Sequence, residues 1–234
     1  MIKTGLGLKK NALKLVRKSK KLYTILRLKN KPKVFCIGLN KTGTTSLREA
    51  MQGLGYVIGN QREGELLFND WVNRDFRKII KHCQSAEFFQ DIPFSYPYTF
   101  IAIDQAFPNS KFILTVRDNP EQWYNSIINF YGKIFGNGKV PPTVEDLKNA
   151  NYLYKGFPYD TFKHLLNVSD ENLLNKEILI ESYNSHNKIV IDYFSHREND
   201  LLVLNVAEKA AYKKLCDFLN KNCESTIFPW KNKT

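Results

Sequence analysis

Chemistry-bearing residues concentrate in one short stretch, Gly38-Leu39-Asn40-Lys41-Thr42-Gly43-Thr44-Thr45-Ser46-Leu47. A continuously apolar run, Val34-Phe35-Cys36-Ile37, leads into it, and a helix-forming sequence leaves it. A strand that turns tightly into a helix aims successive backbone N–H groups and the positive end of the helix dipole at one point. Lys41 adds a full positive charge, Thr42, Thr44, Thr45 and Ser46 add hydroxyls, Asn40 adds a carboxamide, and Gly43 lets the backbone approach a ligand closely. The stretch is an anion cradle, suited to phosphate or sulfate oxygens. It lacks the order of the triphosphatase loop, in which Gly-Lys-Ser/Thr closes a longer glycine-rich turn, because here the lysine precedes the glycine by two. A small nucleotide kinase would need an acid at a strand end to hold magnesium. The candidate, Asp104 of Ile101-Ala102-Ile103-Asp104, falls in a run from Tyr98 to Phe107 that reads as helix.

The surrounding elements say what must hold this cradle. Short strand candidates recur at Val34 to Ile37, Tyr56 to Ile58, Ala86 to Phe89, Lys111 to Val116 and Leu201 to Val206. The segments between them are long enough for crossover helices, a pattern that implies a parallel sheet covered on both faces. Thr44, Thr45 and Ser46 offer caps for the helix after the cradle, Leu47, Ala50, Met51 and Leu54 form its inward stripe, and Gly55 stops it. Helix is predicted from Pro120 to about Phe135, short helices within 144–167, and one long helix or a broken pair from Asp170 to Phe194. The fold class is α/β, three layers around a central, mostly parallel sheet of about five strands. One domain runs from 34 to 234, preceded by an arm at 1–33.

The order Lys-Thr-Gly-Thr-Thr-Ser at 41–46 resembles the 5′-phosphosulfate loop of sulfotransferases that use 3′-phosphoadenosine-5′-phosphosulfate (PAPS), and the likeness covers nearly all of 34–234. The resemblance implies a P-loop-like fold, close to the compact bacterial-type branch, and transfer of a sulfuryl group with release of the nucleotide PAP. No metal is expected. Asn40 to Ser46 would hold the phosphosulfate, with Lys41 easing departure of the nucleotide oxygen. A second family element is an arginine at a strand end followed along a helix by a serine, both on the 3′-phosphate. Arg117 and Ser126 match it, spaced one residue wider than usual, as though Asn119 were inserted in the turn. A basic C-terminal loop often closes over that phosphate, which points to Lys231. The family's base follows a strand near the phosphosulfate, and Asp91 is the ionisable side chain at the matching place, Phe88-Phe89-Gln90-Asp91-Ile92-Pro93-Phe94. Asp91 reads otherwise as a turn cap ahead of Pro93. Among the histidines, His186 is the reserve base. The acceptor implied is a hydroxyl or amine of a glycan, glycolipid or small molecule. A catalytically inactive nucleotide or anion binder at a membrane is the alternative.

Composition bounds these readings. The 234 residues suffice for one well-filled core, and 43% hydrophobic with 25% charged residues is ordinary globular composition. The net charge of +12 is local: residues 1–33 hold twelve Lys or Arg and no acid, leaving 23 basic against 23 acidic side chains in the body. A basic isoelectric point therefore says nothing of a nucleic-acid-binding core, and no nucleic-acid partner is expected. Within the arm, Ala12, Leu15, Val16, Leu22, Tyr23 and Leu26 share a helical stripe among lysines. Such a helix suits an anionic membrane surface, and equally could pack on the body or stay solvated. Its apolar runs are too short to span a bilayer. The four cysteines, with no metal or redox spacing, read as reduced, mostly buried thiols of a cytoplasmic protein, peripheral on the inner face of the membrane if the arm binds there.

Overall fold

The alternation along the first apolar run decides the layering. The computed structural model describes residues 31–223, together with Ser19, Tyr23, residues 26–28, Phe228 and Pro229. In chain order the elements are β1 (Val34–Cys36), α1 (Thr44–Gly53), α2 (Gln61–Glu65), α3 (Phe68–Val72), α4 (Arg77–His82), β2 (Phe88–Phe89), α5 (Thr99–Ala106), β3 (Lys111–Thr115), α6 (Pro120–Phe135), α7 (Val144–Asn149), α8 (Phe157–Leu166), α9 (Lys176–Tyr193), β4 (Leu201–Leu204) and α10 (Ala211–Phe218). Because successive strand residues face opposite sides, Val34 and Cys36 meet Leu47, Ala50 and Met51 of α1 and Leu215 of α10. Phe35 and Ile37 meet Trp71 of α3, Phe100 and Ile103 of α5 and Val190 of α9 on the other face. A third apolar cluster gathers Leu39 of the cradle with Trp123 and Ile127 of α6, Leu147 of α7, Phe162 of α8 and Tyr183 of α9.

All strand pairs are parallel, in the order β2-β1-β3-β4. From β1 the chain runs outward to β2, then crosses to β3 on the opposite side of β1 and outward again to β4. The carboxyl ends of β1 and β3 therefore flank the point where the connections diverge, which is where open α/β sheets form a ligand crevice. Both the cradle and Arg117 leave the sheet there. The strands approach so closely that a Cβ on Gly38 would stand 2.2 Å from Thr115 Oγ1 and 2.4 Å from its carbonyl oxygen. Glycine is the residue that fits.

Several expectations are corrected. Among the described residues the sheet has four strands rather than about five: Tyr56-Val57-Ile58 contributes a single bridge, Ile58 to Phe88. Its partner β2 has two residues, and the chain turns away at once, Asn60 capping α2 by accepting from Glu63 N at 3.1 Å. The cap of α1 is Gly43, at φ 100°, with no side-chain cap bond, and Thr44 is already helical. For 170–194 the second of the two readings holds: the stretch is broken at Asn175, whose side chain accepts from Ile178 N at 3.1 Å and starts α9. The reading of four reduced thiols fails, because Cys216 and Cys223 form a disulfide, with Cα atoms 5.9 Å apart, while Cys36 and Cys83 are free and buried. Asn220, at φ 52°, reverses the chain after α10 and brings Cys223 back to the helix.

Most of the arm lies outside the described residues. Lys33, counted with the arm by its charge, is 1% exposed, and its Nζ donates to the carbonyls of Leu28 at 3.0 Å and Ala86 at 2.8 Å. Among the described residues no helix is long and apolar enough to cross a membrane.

Candidate active site

The cradle is knitted from within. Thr42 Oγ1 donates to Leu39 O at 2.6 Å and lies 2.6 Å from Thr115 Oγ1. With its one proton so placed, Thr42 must accept from Thr115, whose oxygen is then free to accept from the Cys36 thiol at 3.6 Å. Burial pushes Cys36 up to about 12, so it remains a donor thiol. The Thr42 hydroxyl is thus turned inward, leaving its backbone as the part that can serve a ligand. Asn40 is held from two sides: Ser95 Oγ donates to its Oδ1 at 3.1 Å, and Trp123 Nε1 donates to its carbonyl at 3.0 Å.

Lys41 itself occupies left-handed backbone, φ 73°. Arg117 Nε donates to the Lys41 carbonyl at 2.7 Å, and Arg117 N donates to Tyr183 Oη at 3.0 Å. The arginine that closes β3 therefore fastens the cradle of β1. Tyr183 stacks on Trp123 with ring centres 4.8 Å apart, so α6 and α9 brace the same point. The Lys41 ammonium sits 3.9 Å above the Phe130 ring centre and forms no ion pair among the described residues. Burial, reinforced by Arg117, lowers its pKa, while Asp91 opposes that shift.

Asn40, Lys41, Thr44, Thr45 and Asp91 line one cleft of about 390 Å³, together with Gln61, Glu65, Tyr131 and Tyr152 and apolar walls that include Phe130, Ile134, Phe135 and Phe157. Asp91 leaves β2 on left-handed backbone, φ 57°, and is 7% exposed. Burial pushes its carboxyl up to about 6, with Glu65 adding to the rise. Hydrogen bonds from Thr44 and Gln90 and the charge of Arg48 act against it. Gln90 Nε2 donates to Asp91 Oδ2 at 3.0 Å. A carboxylate poised near neutrality beside an ammonium is the pairing that proton removal and anion stabilisation require.

The remaining candidates divide. Ser46 is buried in the first turn of α1. Ser126 lines a separate groove of about 360 Å³ with Asn119, Gln122 and Asn125 on α6. The extra residue between Arg117 and Ser126 has a structural use, since Asn119 caps α6 by accepting from Gln122 N at 2.8 Å. His186 does not line the cleft. It is buried with Nε2 2.8 Å from the carbonyl oxygen of Ile37, and burial lowers its pKa, so it ties α9 to β1 as a neutral ring. Lys231 lies outside the described residues. Asp104, the acid a kinase would use, is on α5, where Tyr193 Oη and the Arg197 guanidinium hold its carboxylate, Oδ2 being 2.7 Å from each. Among the described residues no three metal-ligating side chains converge.

Sequence reasoning missed Glu65, Gln61 and Phe130. These stand on short or distant elements, and the helical pattern of α6, with Phe130 beside Tyr131, was the one signal that could have found any of them. Tyr152 and Phe157 fall in the aromatic stretch 152–159, whose residue types suit the lining of a sugar or lipid site.

A polar cradle at the sheet's divergence point, an unpaired ammonium and a buried carboxylate in one cleft describe a group-transfer site for an anionic donor. The family model described as a sulfotransferase domain matches residues 33–234, and the chain belongs to that family. It is a transferase of sulfuryl groups. No curated protein sequence matches the chain.

Proposed function

We propose that the protein moves the sulfuryl group of PAPS to a hydroxyl or amine of a glycan, glycolipid or small molecule. The observation that carries this reading is the shared cleft of Lys41 and Asp91. The residues fit the donor: α1 has no side-chain cap and no acid in its first turn, which leaves the positive end of its dipole to an anion. A Cβ on Gly43 would stand 2.4 Å from Val206 Cγ2, so the turn is as tight as the chain allows.

In this reading Asp91 takes the proton of the acceptor O–H or N–H, the freed lone pair forms the new bond to sulfur, and the bond from sulfur to the nucleotide's bridging oxygen breaks. That oxygen leaves with the electron pair, and Lys41 neutralises it. Arg117 keeps the loop in place through the Lys41 carbonyl, and the groove at Ser126 takes the 3′-phosphate side of the nucleotide. Residues 1–33, which hold eleven cations besides the buried Lys33 and no acid, bring the enzyme to anionic lipid surfaces.

The test is transfer of radiolabelled sulfate from PAPS to a panel of glycans, lipids and phenols, with PAP affinity measured alongside. Wild type should transfer label and Lys41→Ala should not. Equal PAP binding by both proteins without any transfer identifies an inactive nucleotide binder instead.

A further inference from the structure

Glu65 closes α2 and is 5% exposed, yet only one of its carboxylate oxygens is occupied. Oε1 accepts from Gln61 Nε2 at 3.0 Å and from Tyr152 Oη at 3.1 Å. Oε2 is buried and accepts no hydrogen bond. The nearest cation, Arg62 Nη1, is 4.0 Å from it, beyond hydrogen-bond range. Arg62 is engaged elsewhere, donating to the Tyr152 carbonyl at 3.2 Å and lying 5.1 Å from the centre of that ring. A buried acceptor left without a donor costs about 1–3 kcal/mol, more when it is charged. A ligand that brings the donor recovers that cost.

The lining residues also carry a charge argument. Two carboxylates, Glu65 and Asp91, line the cleft with one ammonium, Lys41, while Arg62 stands 4.0 Å from Glu65 Oε2 without lining the cleft. Once Lys41 is paired with the anionic donor, which rests on the function proposed above, the charged groups left lining the cleft are the two carboxylates. Its other walls, Ile134, Phe135 and Phe157, are apolar. We propose that Glu65 is the specificity-determining residue for the acceptor, its Oε2 taking a hydrogen bond from a hydroxyl or ammonium of a neutral or cationic compound with an apolar flank. Anionic acceptors, such as uronates or groups already sulfated, are turned away by like charge.

Three octyl glycosides of matched shape serve as probes: the glucoside, the 2-amino-2-deoxyglucoside and the glucuronide. Their affinities are measured by calorimetry on the full chain saturated with PAP. The amino and neutral glycosides should bind at least about tenfold more tightly than the glucuronide. Glu65→Gln should weaken the amino glycoside about tenfold and so remove most of its advantage over the glucuronide, with PAP affinity unchanged. If Glu65→Gln does not fold, Tyr152→Phe removes one donor to Oε1 and should weaken the amino and neutral glycosides while leaving the glucuronide no weaker. Equal or tighter binding of the glucuronide, a preference that survives Glu65→Gln, no effect of Tyr152→Phe, or no binding of any glycoside overturns the proposal. If wild type fails to bind PAP, the donor reading falls alone, and the loss of amino-glycoside affinity on Glu65→Gln in the nucleotide-free protein still decides the role of Glu65.

Discussion

The first strand carries a lysine at each end, and the two are used in opposite ways. Lys33, entering the sheet, buries its ammonium between the carbonyls of Leu28 and Ala86. Lys41, leaving it, has an aromatic face beneath its ammonium and no carboxylate in contact among the described residues. Burial lowers the pKa of both. A cation whose donors are satisfied by fixed carbonyls is part of the scaffold, whereas one left facing a cleft is available to a charge that arrives later. The same residue type thus marks the rigid and the reactive ends of one strand, and partners decide which is which.

The sharpest way to break this contrast is to exchange the losses. Lys41→Ala should lower kcat by about 10²–10³ while leaving the unfolding midpoint in denaturant nearly unchanged. Lys33→Met should do the reverse, costing about 1–3 kcal/mol of stability because two carbonyls lose their donor, with the activity of the folded fraction retained. Comparable unfolding of both variants would erase the distinction.

Asp91 sharpens it with pH. Burial pushes this carboxyl up to about 6, above its ordinary 3.8, so the protonated group favours folding below about pH 4 and that contribution is lost as pH rises through 6. Asp91→Asn should therefore be more stable than wild type at pH 8, by about 1–3 kcal/mol, and should lose that advantage at pH 4. In wild type, kcat/KM should rise with a midpoint near pH 6 as the base ionises, and in Asp91→Asn that limb should vanish. The smallest effect is expected at Phe130→Leu. A cation–π contact at a partly exposed ring contributes about 0.5–1 kcal/mol, so kcat/KM should fall only a few-fold.

What the sequence disclosed follows from how local each feature is. The cradle was readable because strand, loop and helix are contiguous, and the capped start of α6 at Pro120 carries its own signal. Asp91 was reached through the family resemblance, which puts a base after a strand, and its carboxyl lines the cleft. Glu65 was not, since α2 spans five residues and offers no periodicity to place its acid on a face. The apolar wall of the cleft comes from α6 and α8, and no local pattern says that these helices share a cavity with α2. Cys216 and Cys223 are seven apart, a spacing that suggests two stacked helical positions, and the reversal at Asn220 that bonds them leaves no composition signal beyond a single asparagine. Lys33 misled because its charge matches the arm, although carbonyls from two other segments define its environment.

Lys41 and Asp91 both stand on left-handed backbone, at φ 73° and 57°. Such a conformation costs a residue with a Cβ about 1–2 kcal/mol relative to glycine, and asparagine tolerates it better than most. Directed evolution for heat resistance alone would thus drift toward glycine at 41 and asparagine at 91. A library selected on survival after boiling, with no screen for turnover, should return sturdier proteins that no longer work.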